Sequence, residues 1–400
     1  MKISVIGLGY IGLPTSIVLG LNGHTVYGYD ISLDAVQTLN EGRIHIVEDK
    51  LQEAYEKVLD QGMFKAATVL IQADVYIIAV PTPFKNIANT KKADLSYVKS
   101  AAKSIAKVLK AGDLVILEST VPPGTTKIMT DILEETSGIS RMKFHSVHCP
   151  ERVLPGQILY ELEHNDRIIG SERIESAIIA KDLYKSFVKV GNIFTTDDVT
   201  AEMAKLVENT YRDVNIAFAN ELSIISEKLN IDVFELISLA NKHPRVNILT
   251  PGVGVGGHCL AVDPWFIVEQ FPKEAKIIKN SRETNDLKPY WVSDKVNTIL
   301  KEDKNKVIGI LGLAYKPNID DLRESPSIEM ALNLKNMGYS VVGCEPNCEA
   351  DFIEGIPNLN LSTVLKTADF IVLTLAHSEF EYAKSEIRLK PNFDCIGMLK

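Results

Sequence analysis

KISVIGLGYIG, residues 2–12, decides the fold of the N-terminal half of the chain. A run of apolar and β-branched residues leads into the spacing GxGxxG, and a segment of helical character follows. The next strand is predicted at TVYGYD, residues 25–30. The first glycine permits a tight turn, the second lets a ligand approach the backbone, and the third lets helix and strand pack. A βαβ unit is therefore predicted, with a dinucleotide pyrophosphate bound at Gly7, Gly9 and Gly12.

The residue that closes this second strand favours one dinucleotide over another. Asp30 stands where a carboxylate can accept hydrogen bonds from both ribose hydroxyls and repel a 2′-phosphate. The expected cofactor is therefore NAD rather than NADP. A glycine-rich turn in some other α/β protein is the alternative interpretation, because GxGxxG alone is a weak signal.

The same pattern returns near the C-terminus. KVIGILGLAYKP (306–317), GYSVVGCEP (338–346) and ADFIVLTLAHSEF (368–380) repeat, in order, the first strand, the second strand and the strand at ADVYIIAVPTPF (73–84). Such a repeat predicts a second Rossmann-like domain.

The predicted fold class is α/β, with two Rossmann-like doubly wound domains joined by a central long-helix domain. The expected limits are residues 1–192 for the NAD-binding domain, 193–300 for the central helical domain and 301–400 for the C-terminal Rossmann-like domain. The cleft between two such α/β domains is the first place to expect a site.

The central segment is predicted to be strongly helical. Between about Asp197 and Ala240 there is neither glycine nor proline, and apolar residues recur at spacings of three and four. One long helix, or two that join near Asn230, fits this pattern. Such a helix can link domains, form the seam of an oligomer or lie in a core.

Three polar residues share one face of that helix. Lys205, Asn209 and Arg212 stand at i, i+4 and i+7. A solvated polar face is the simpler interpretation. Apolar neighbours, among them Val207 and Phe218, instead predict that the helix lies inside the protein, where these side chains could act on a ligand.

A second glycine-rich segment, GVGVGGHCLAVDPW (252–265), carries a cysteine. Cys259 could be a small core residue, a metal ligand or a nucleophile. The glycines predict a loop whose backbone a ligand can approach, which favours the nucleophile. Metal binding is poorly supported, because no second Cys/His pair has ligand spacing. The adjacent His258 is interpreted as a structural neighbour.

Composition limits the partners and the compartment. The formal net charge of -9 argues against binding to nucleic acid or to an anionic membrane. Five cysteines without a CxxC pair suggest no disulfide framework and no metal site, and no apolar run is long enough to span a bilayer. A cytoplasmic protein is expected. An anionic substrate would need local cations, for which Lys316 in the second glycine turn is a candidate unless it is merely solvated.

Seven segments, in order over nearly the whole chain, resemble the UDP-glucose/GDP-mannose dehydrogenase family. The branches that act on UDP-glucose or GDP-mannose carry an Asn-Pro-Glu-Phe type of segment where this chain has CPER, residues 149–152. The resemblance is therefore strongest to the branch that acts on UDP-N-acetyl-D-mannosamine. The segments are GLGYIGLP (7–14), VPTP (80–83), ESTVPPGTT (118–126), CPERVLPG (149–156), AEMAKLVENTYRDVNIAFANEL (201–222), GVGVGGHCLAVDP (252–264) and AYKPNIDDLRESP (314–326).

The resemblance implies oxidation of the C6 alcohol of a nucleotide sugar to a carboxylate, with two NAD molecules used in succession. It implies that Cys259 attacks the intermediate aldehyde, and that the resulting thiohemiacetal is oxidised to a thioester and hydrolysed. Lys205 and Asn209 would stabilise oxyanions and take part in proton transfer. Asp263 and Glu151 would position or activate the hydrolytic water.

The resemblance also implies which residues hold the cofactor. Thr82 and Thr120 match positions that line the nicotinamide half. Tyr10 and Ile11 match positions whose backbone N–H groups meet the pyrophosphate, and Arg323 matches a contact from the C-terminal domain.

The implied substrate is a UDP-sugar that binds mainly to the C-terminal domain and the central domain. An arginine in the PRVN segment, here Arg245, can reach the site of a neighbouring subunit, so a homodimer through the long helix is implied. A basic substrate residue expected near the C-terminus is absent or replaced by Lys400. The matching substrate positions are Arg152, Val153, Lys205, Asn209, Arg212, His243, Arg245, Gly256, Tyr315 and Lys316.

Other functions remain open at this point. The same reaction on UDP-N-acetylglucosamine or UDP-glucose is one alternative. A two-electron hydroxy-acid dehydrogenase also pairs a Rossmann domain with a helical region, although it needs no cysteine and leaves the second repeat unexplained. A protein that senses NAD or a UDP-sugar without turnover would be expected to have lost Lys205 or Cys259.

Overall fold

The computed structural model describes residues 1–46, 48–87, 90–153, 156–257 and 259–400. The chain divides into two compact units, Met1–Val207 and Glu208–Lys400. None of the described helices is long and apolar enough to cross a membrane. Among the described residues, no group of three or more His, Cys, Asp and Glu side chains could hold a metal ion.

The first unit is built on a sheet of eight strands in the order β10-β9-β8-β7-β4-β1-β2-β3. From β3 to β8 all neighbours are parallel, whereas β9 pairs antiparallel with β8. A separate antiparallel pair consists of β5 and β6. The strands are β1 (Lys2–Ile6), β2 (Thr25–Tyr29), β3 (Phe64–Ala67), β4 (Val75–Ile78), β5 (Phe84–Ile87), β6 (Thr90–Ala93), β7 (Leu114–Leu117), β8 (His145–His148), β9 (Arg167–Gly170) and β10 (Ile193–Thr196).

Helices cover both faces of this sheet. On β4, Val75 and Ile77 belong to one hydrophobic cluster, and Tyr76 and Ile78 belong to another. Successive residues of a strand point to opposite faces, so both faces are buried and the sheet is doubly wound, as the sequence predicts. The helices are α1 (Gly12–Leu21), α2 (Leu33–Asn40), α3 (Leu51–Asp60), α4 (Ser96–Ala106), α5 (Thr125–Ser137), a 3₁₀ turn (Arg141–Lys143), α6 (Ile158–His164) and α7 (Ile174–Tyr184).

Helix α8 (Asp198–Leu229) begins in the first unit and continues into the second. It ends where Asn230 adopts a φ of 55°, and α9 (Val233–Ala240) follows after Asp232 caps its first turn. The prediction of two helices joined near Asn230 is confirmed.

The second unit contains a smaller, fully parallel sheet in the order β12-β11-β15-β16. Phe370 and Val372 of β15 belong to one hydrophobic cluster, and Ile371 and Leu373 belong to another, so this sheet is also buried on both faces. The remaining elements are α10 (Asp263–Gln270), α11 (Lys276–Ile299), β11 (Val307–Leu311), α12 (Pro326–Asn336), β12 (Ser340–Cys344), β13 (Phe352–Ile353), β14 (Ile356–Pro357), α13 (Leu361–Thr367), β15 (Phe370–Leu373), α14 (Ser378–Tyr382), α15 (Lys384–Arg388) and β16 (Asn392–Asp394).

Candidate active site

The three glycines after β1 are required for different reasons. Gly7 has a φ of 92°, and a Cβ there would lie 2.7 Å from the carbonyl oxygen of Ala79. A Cβ on Gly12 would lie 1.8 Å from the carbonyl oxygen of Gly7. A Cβ on Gly9 would meet no described atom within 4 Å. The protein's own packing therefore explains Gly7 and Gly12, whereas Gly9 leaves open backbone at the N-terminal end of α1, which fits a dinucleotide pyrophosphate.

The rest of this loop also fits the dinucleotide. Asp30 is held at the end of β2, where its Oδ2 accepts the N–H of Leu8 at 2.8 Å and its Oδ1 accepts that of Ser32 at 2.9 Å. Ile11 stands at the start of α1, and none of the described side chains caps that helix. Tyr10 beside it is 38% exposed. The N-terminal end of α1 is therefore not covered by a capping side chain.

Thr82 and Thr120 lie together at the carboxyl ends of neighbouring strands. Thr82 follows β4, Thr120 follows β7, and the Thr82 hydroxyl donates to the carbonyl oxygen of Thr120 at 2.6 Å. Because β1 is the other neighbour of β4, this pair lies at the same sheet edge as the glycine turn. In doubly wound sheets, that edge holds the ligand.

Glu151 is part of a buried ion pair. Its Oε2 lies 2.6 Å from Nη1 of Arg167, and its Oε1 accepts the backbone N–H of Arg152 at 2.7 Å. Glu118 is buried in the same region and accepts the hydroxyl of Tyr184 at 2.6 Å. Burial and then the charge of Glu151 raise the pKa of Glu118.

Sequence reasoning missed the charges in this buried group. The signal was faint: Glu118 opens ESTVPPGTT, and Arg167 is a cation at the start of an apolar strand. Cys149 lies in the same group, and burial raises the pKa of its thiol to about 12, which makes it a poor nucleophile. Of the two neighbouring substrate candidates, the Arg152 guanidinium donates to the carbonyl oxygen of Asp166 at 3.1 Å, and Val153 packs against the core.

In the second unit, the structure brings Cys259, Asp263 and Asn209 together. Cys259 is exposed and forms no disulfide. Its carbonyl oxygen accepts the N–H of Asp263 at 2.8 Å, so the cysteine immediately precedes the first turn of α10. Asp263 is 3% exposed and accepts the amide of Asn209 on α8 at 2.5 Å. His258, next to the cysteine, lies outside the described residues.

The glycine loop before Cys259 packs against the turn after β11. A Cβ on Gly256 would lie 2.4 Å from the carbonyl oxygen of Glu324 and 2.8 Å from Cβ of Tyr315. The N–H of Gly257 donates to the carbonyl oxygen of Arg323 at 3.1 Å. Packing inside the unit therefore requires a glycine at position 256. This packing role was not part of the assignment of Gly256 to substrate binding.

A buried polar network holds the other end of this loop, and sequence reasoning did not identify it. Asp213 on α8 pairs with Arg282 on α11 at 2.5 Å and accepts the amide of Asn285 at 2.9 Å. Asn285 accepts the amide of Asn220 at 2.9 Å, and Asn220 accepts the N–H of Gly252 at 2.9 Å. The available signal was the pair of polar residues seven apart, Asp213 and Asn220, in a helix with many apolar residues.

The cations assigned to the substrate differ in exposure. Lys205 is half-buried and lies one helical turn before Asn209 in the continuous helix α8. Arg323, which was matched to a cofactor contact and not to the substrate, is held by Asp321, with its Nη2 2.6 Å from Oδ2. The remaining cationic or basic candidates of the second unit are exposed, namely Arg212, His243, Arg245 and Lys316.

One argument about α8 holds only in part. Of the apolar residues expected to hold the helix inside the protein, Leu206 is buried at 0% exposed, but Val207 and Phe218 are 47% and 50% exposed. Tyr211, Ile225 and Leu229 are exposed as well, at 70%, 44% and 64%. Helical periodicity identifies an apolar face but does not tell what covers it.

Family models match three consecutive parts of the chain. Residues 1–188 match the NAD binding domain of the UDP-glucose/GDP-mannose dehydrogenase family. Residues 199–287 match its central domain, and residues 309–400 match its UDP binding domain.

Individual proteins match over almost their whole length. A UDP-N-acetyl-D-mannosamine dehydrogenase from Campylobacter jejuni is 49% identical, with 96% of this chain and 97% of the relative covered. An NDP-N-acetyl-D-galactosaminuronic acid dehydrogenase from Ralstonia nicotianae is 48% identical, with 94% and 91% covered. The solved structure of a UDP-D-ManNAc dehydrogenase from Pyrococcus horikoshii is 38% identical, with a TM-score of 0.92 and with 100% and 96% covered.

Proposed function

The chain belongs to the UDP-glucose/GDP-mannose dehydrogenase family, and on that premise we propose that it oxidises C6 of UDP-N-acetyl-D-mannosamine to give UDP-N-acetyl-D-mannosaminuronate. The protein is an NAD-dependent nucleotide-sugar dehydrogenase. The proposed substrate rests on relatives that carry that name at 47–49% identity. We assign NAD to residues 1–192, the reacting sugar to 193–300 and the UDP moiety to 301–400.

One observation carries the proposed chemistry: an exposed cysteine, Cys259, lies four residues before a buried carboxylate, Asp263, that is hydrogen-bonded to Asn209. Cys259 forms no disulfide, and Asp263, in the first turn of α10, accepts the amide of Asn209 at 2.5 Å. A thiol and a positioned carboxylate are the two groups that formation and hydrolysis of a thioester require.

The reaction balances as two successive oxidations. NAD, held by the first unit, would supply the hydride acceptor for each of the two oxidation steps, and each step also releases the hydroxyl proton of the oxidised carbon. After the first, the Cys259 sulfur bonds to the aldehyde carbon, and the aldehyde oxygen takes up a proton. After the second, the carbon is held as a thioester, which water cleaves to release the carboxylate and return the thiol. Lys205 and Asn209 stabilise the oxyanions, and Asp263 orients the water.

Glu151 is proposed to act from the first unit, where its carboxylate pairs with Arg167 at 2.6 Å and accepts the backbone N–H of Arg152 at 2.7 Å. The residues proposed to bind the adenosine diphosphate side of NAD are Gly7, Gly9, Tyr10, Ile11, Gly12 and Asp30. Thr82 and Thr120 line the nicotinamide side, and Arg323 contacts the cofactor from the C-terminal domain. Besides Lys205, four cations among the substrate residues offset the negative charges of the two phosphates of UDP. They are Arg152, Arg212, Arg245 and Lys316, and the other substrate residues are Val153, Lys205, Asn209, His243, Gly256 and Tyr315.

The test includes UDP-N-acetylgalactosamine as a second candidate substrate, because a relative of similar identity is named an NDP-N-acetyl-D-galactosaminuronic acid dehydrogenase. The experiment measures NADH formation with UDP-N-acetylmannosamine, UDP-N-acetylgalactosamine, UDP-N-acetylglucosamine, UDP-glucose and GDP-mannose. The proposal expects the highest kcat/KM with UDP-N-acetylmannosamine. A higher value with any other sugar would replace the substrate, and no turnover with any of them would favour a sensor.

The nucleophile is tested with Cys259→Ser and Cys149→Ser as a matched pair. Cys259→Ser should abolish acid formation, because serine is a poorer nucleophile and its ester a poorer leaving group. Cys149→Ser should retain the covalent chemistry, since that thiol is buried. Mass spectrometry of the denatured wild-type protein during turnover should find the sugar attached to Cys259. Normal acid formation by Cys259→Ser would remove it from the mechanism.

We also propose a homodimer through α8. The exposed apolar residues of this helix within the second unit, Tyr211, Phe218, Ile225 and Leu229, follow spacings of seven and four, typical of a helix seam. His243 and Arg245 are exposed, as expected of side chains that reach a partner. Light scattering should give twice the chain mass for the wild type and a monomer for Phe218→Asp; a wild-type monomer would contradict the proposal.

A further inference from the structure

A pocket of about 140 Å³ lies in the second unit, away from Cys259 in sequence and unused by the proposed chemistry. It is enclosed by the C-terminal end of α8, the start of α9, the middle of α11 and the segment after β16. Its polar and apolar lining includes Ser223, Ser226, Phe234, Lys288, Trp291 and Cys395. A water molecule needs about 15 Å³ of such space, so a four-carbon molecule has room here.

Lys288 on α11 brings a buried charge to this pocket. It is 3% exposed. Its Nζ donates to the Ser223 hydroxyl at 2.5 Å and lies 4.2 Å from the ring centroid of Trp291. Neither partner carries a charge. Burial lowers the pKa of Lys288 to about 8, as expected of an ammonium without a carboxylate beside it.

The acidic residues that line the pocket have partners other than Lys288. Glu227 pairs with Lys295, and Asp232 pairs with Lys400. The carboxylate of Asp394 accepts backbone N–H groups of residues 396, 397 and 399. Burial raises the pKa of the Cys395 thiol to about 12, so it stays neutral. Among the described residues, Lys288 is therefore the cation in the lining that no carboxylate pairs with, whereas Asp394 is satisfied by backbone N–H groups.

A second buried polar group in the lining has no hydrogen-bond partner among the described residues. Ser226 is 1% exposed, and its Oγ forms no hydrogen bond with any residue that the structure describes. Buried hydroxyls are hydrogen-bonded in most proteins, and exceptions point to a ligand or an ordered water. The ammonium of Lys288 can only donate and the hydroxyl of Ser226 can donate as well, so an acceptor would satisfy both groups.

We propose that this pocket binds a small monocarboxylate whose oxygens accept hydrogen bonds from Lys288 Nζ and Ser226 Oγ and whose carbon chain packs against Trp291. One buried cation matches one negative charge, whereas a phosphate dianion would leave a charge uncompensated. The aromatic and aliphatic walls, which include Phe234 and Val292, favour an apolar body.

The pocket is connected to the glycine loop. Gly252 belongs to the lining, and its N–H is held by Asn220, three residues before Ser223 on α8. A bound carboxylate would thereby stiffen the segment that leads to Cys259. Binding itself is independent of the proposed reaction and is measured without turnover.

The test uses sodium butyrate as the probe on the full chain. Trp265→Phe leaves Trp291 as the only tryptophan, so its fluorescence reports the pocket. Butyrate should give a saturable change, whereas butyramide, of the same shape but neutral, and sodium chloride at equal ionic strength should not. In this background Lys288→Met should weaken butyrate binding at least about tenfold, and Ser226→Ala about threefold to tenfold, since charged hydrogen bonds contribute more than neutral ones.

The pH dependence provides a further arm. Butyrate affinity should fall as pH rises past about 8, because Lys288 then loses its proton. Equal responses to butyrate and butyramide would overturn the proposal, as would wild-type affinity in a folded Lys288→Met or, if that variant does not fold, in Ser226→Ala. Saturable binding of inorganic phosphate without binding of butyrate would overturn the assignment of a monocarboxylate.

Discussion

The turn after β1 and the turn after β11 have the same hydrogen bonds and then diverge. Gly7 and Gly312 have φ values of 92° and 99°, and their N–H groups donate to the last residue of the next strand, Tyr29 or Cys344. The N–H of the residue after each glycine donates, at 2.8 Å, to the carboxylate that directly follows the strand. Leu8 donates to Asp30, and Leu313 donates to Glu345.

The difference begins two residues after the shared glycine. Gly9 leaves open backbone, whereas its counterpart Ala314 is buried and donates its N–H to Glu345 at 2.8 Å. Helix α1 begins at Gly12, but α12 begins only at Pro326, after a loop against which Gly256 packs. The first turn thus leaves the open backbone that we propose for a pyrophosphate, while the second packs against the loop that carries the cysteine.

The largest expected effect comes from adding a side chain at a glycine of the first turn. Gly12→Ala should lower the free energy of unfolding by about 3 kcal/mol or more, because its Cβ would lie 1.8 Å from a backbone oxygen. Gly9→Ala should leave the thermal midpoint nearly unchanged and weaken NAD binding at least about tenfold. Thermal unfolding and calorimetric titration with NAD check both. Wild-type NAD affinity in Gly9→Ala would mean that no pyrophosphate approaches this backbone.

Disturbing the packing of the second turn should lower the catalytic rate. Gly256→Ala should lower kcat about a hundredfold, since contact with the carbonyl oxygen of Glu324 would displace the cysteine loop. Gly252→Ala is the matched control, because a Cβ there meets no described atom within 4 Å. Steady-state rates of the two variants decide the matter. Equal rates would show that loop packing is irrelevant to turnover.

Substitution of the two carboxylates, Asp30 and Glu345, should distinguish an effect on NAD binding from an effect on the stability of the fold. Glu345 is buried and also hydrogen-bonded to His377 at 3.1 Å, so Glu345→Gln should cost about 1–3 kcal/mol of stability and leave NAD affinity unchanged. Asp30→Asn should do the reverse, with NAD affinity lowered and its preference over NADP reduced. A large stability loss in Asp30→Asn with normal NAD binding would contradict the comparison.

A smaller effect should appear on acidification. Although burial alone would raise it, the bonds from His377, Ala314 and Leu313 hold the pKa of Glu345 below its ordinary value of 4.5. Its contribution to stability is then present above pH 4.5 and is lost as the pH falls through the lowered value. The difference in thermal midpoint between wild type and Glu345→Gln should therefore shrink below about pH 4.5. A constant difference down to pH 3 would mean that ionised Glu345 is not what stabilises the turn.

The sequence was sufficient for local features. The glycine spacing predicted the first turn, and the repeat predicted the second sheet, because both depend on contacts between neighbouring elements. The network of Asp213, Asn220 and Asn285 joins residues 65 to 72 positions apart, which no local pattern predicts. The exposure of Phe218 was missed for a similar reason, since helical periodicity is the same for an apolar face that is buried and for one that is exposed.

The central claim, a four-electron oxidation through Cys259, is tested most directly by stoichiometry. A limiting amount of UDP-N-acetylmannosamine is incubated to completion with excess NAD, and both NADH and uronate are measured. The account predicts two NADH and one uronate for each sugar consumed, with no free aldehyde. One NADH for each sugar, with the aldehyde as product, would contradict it.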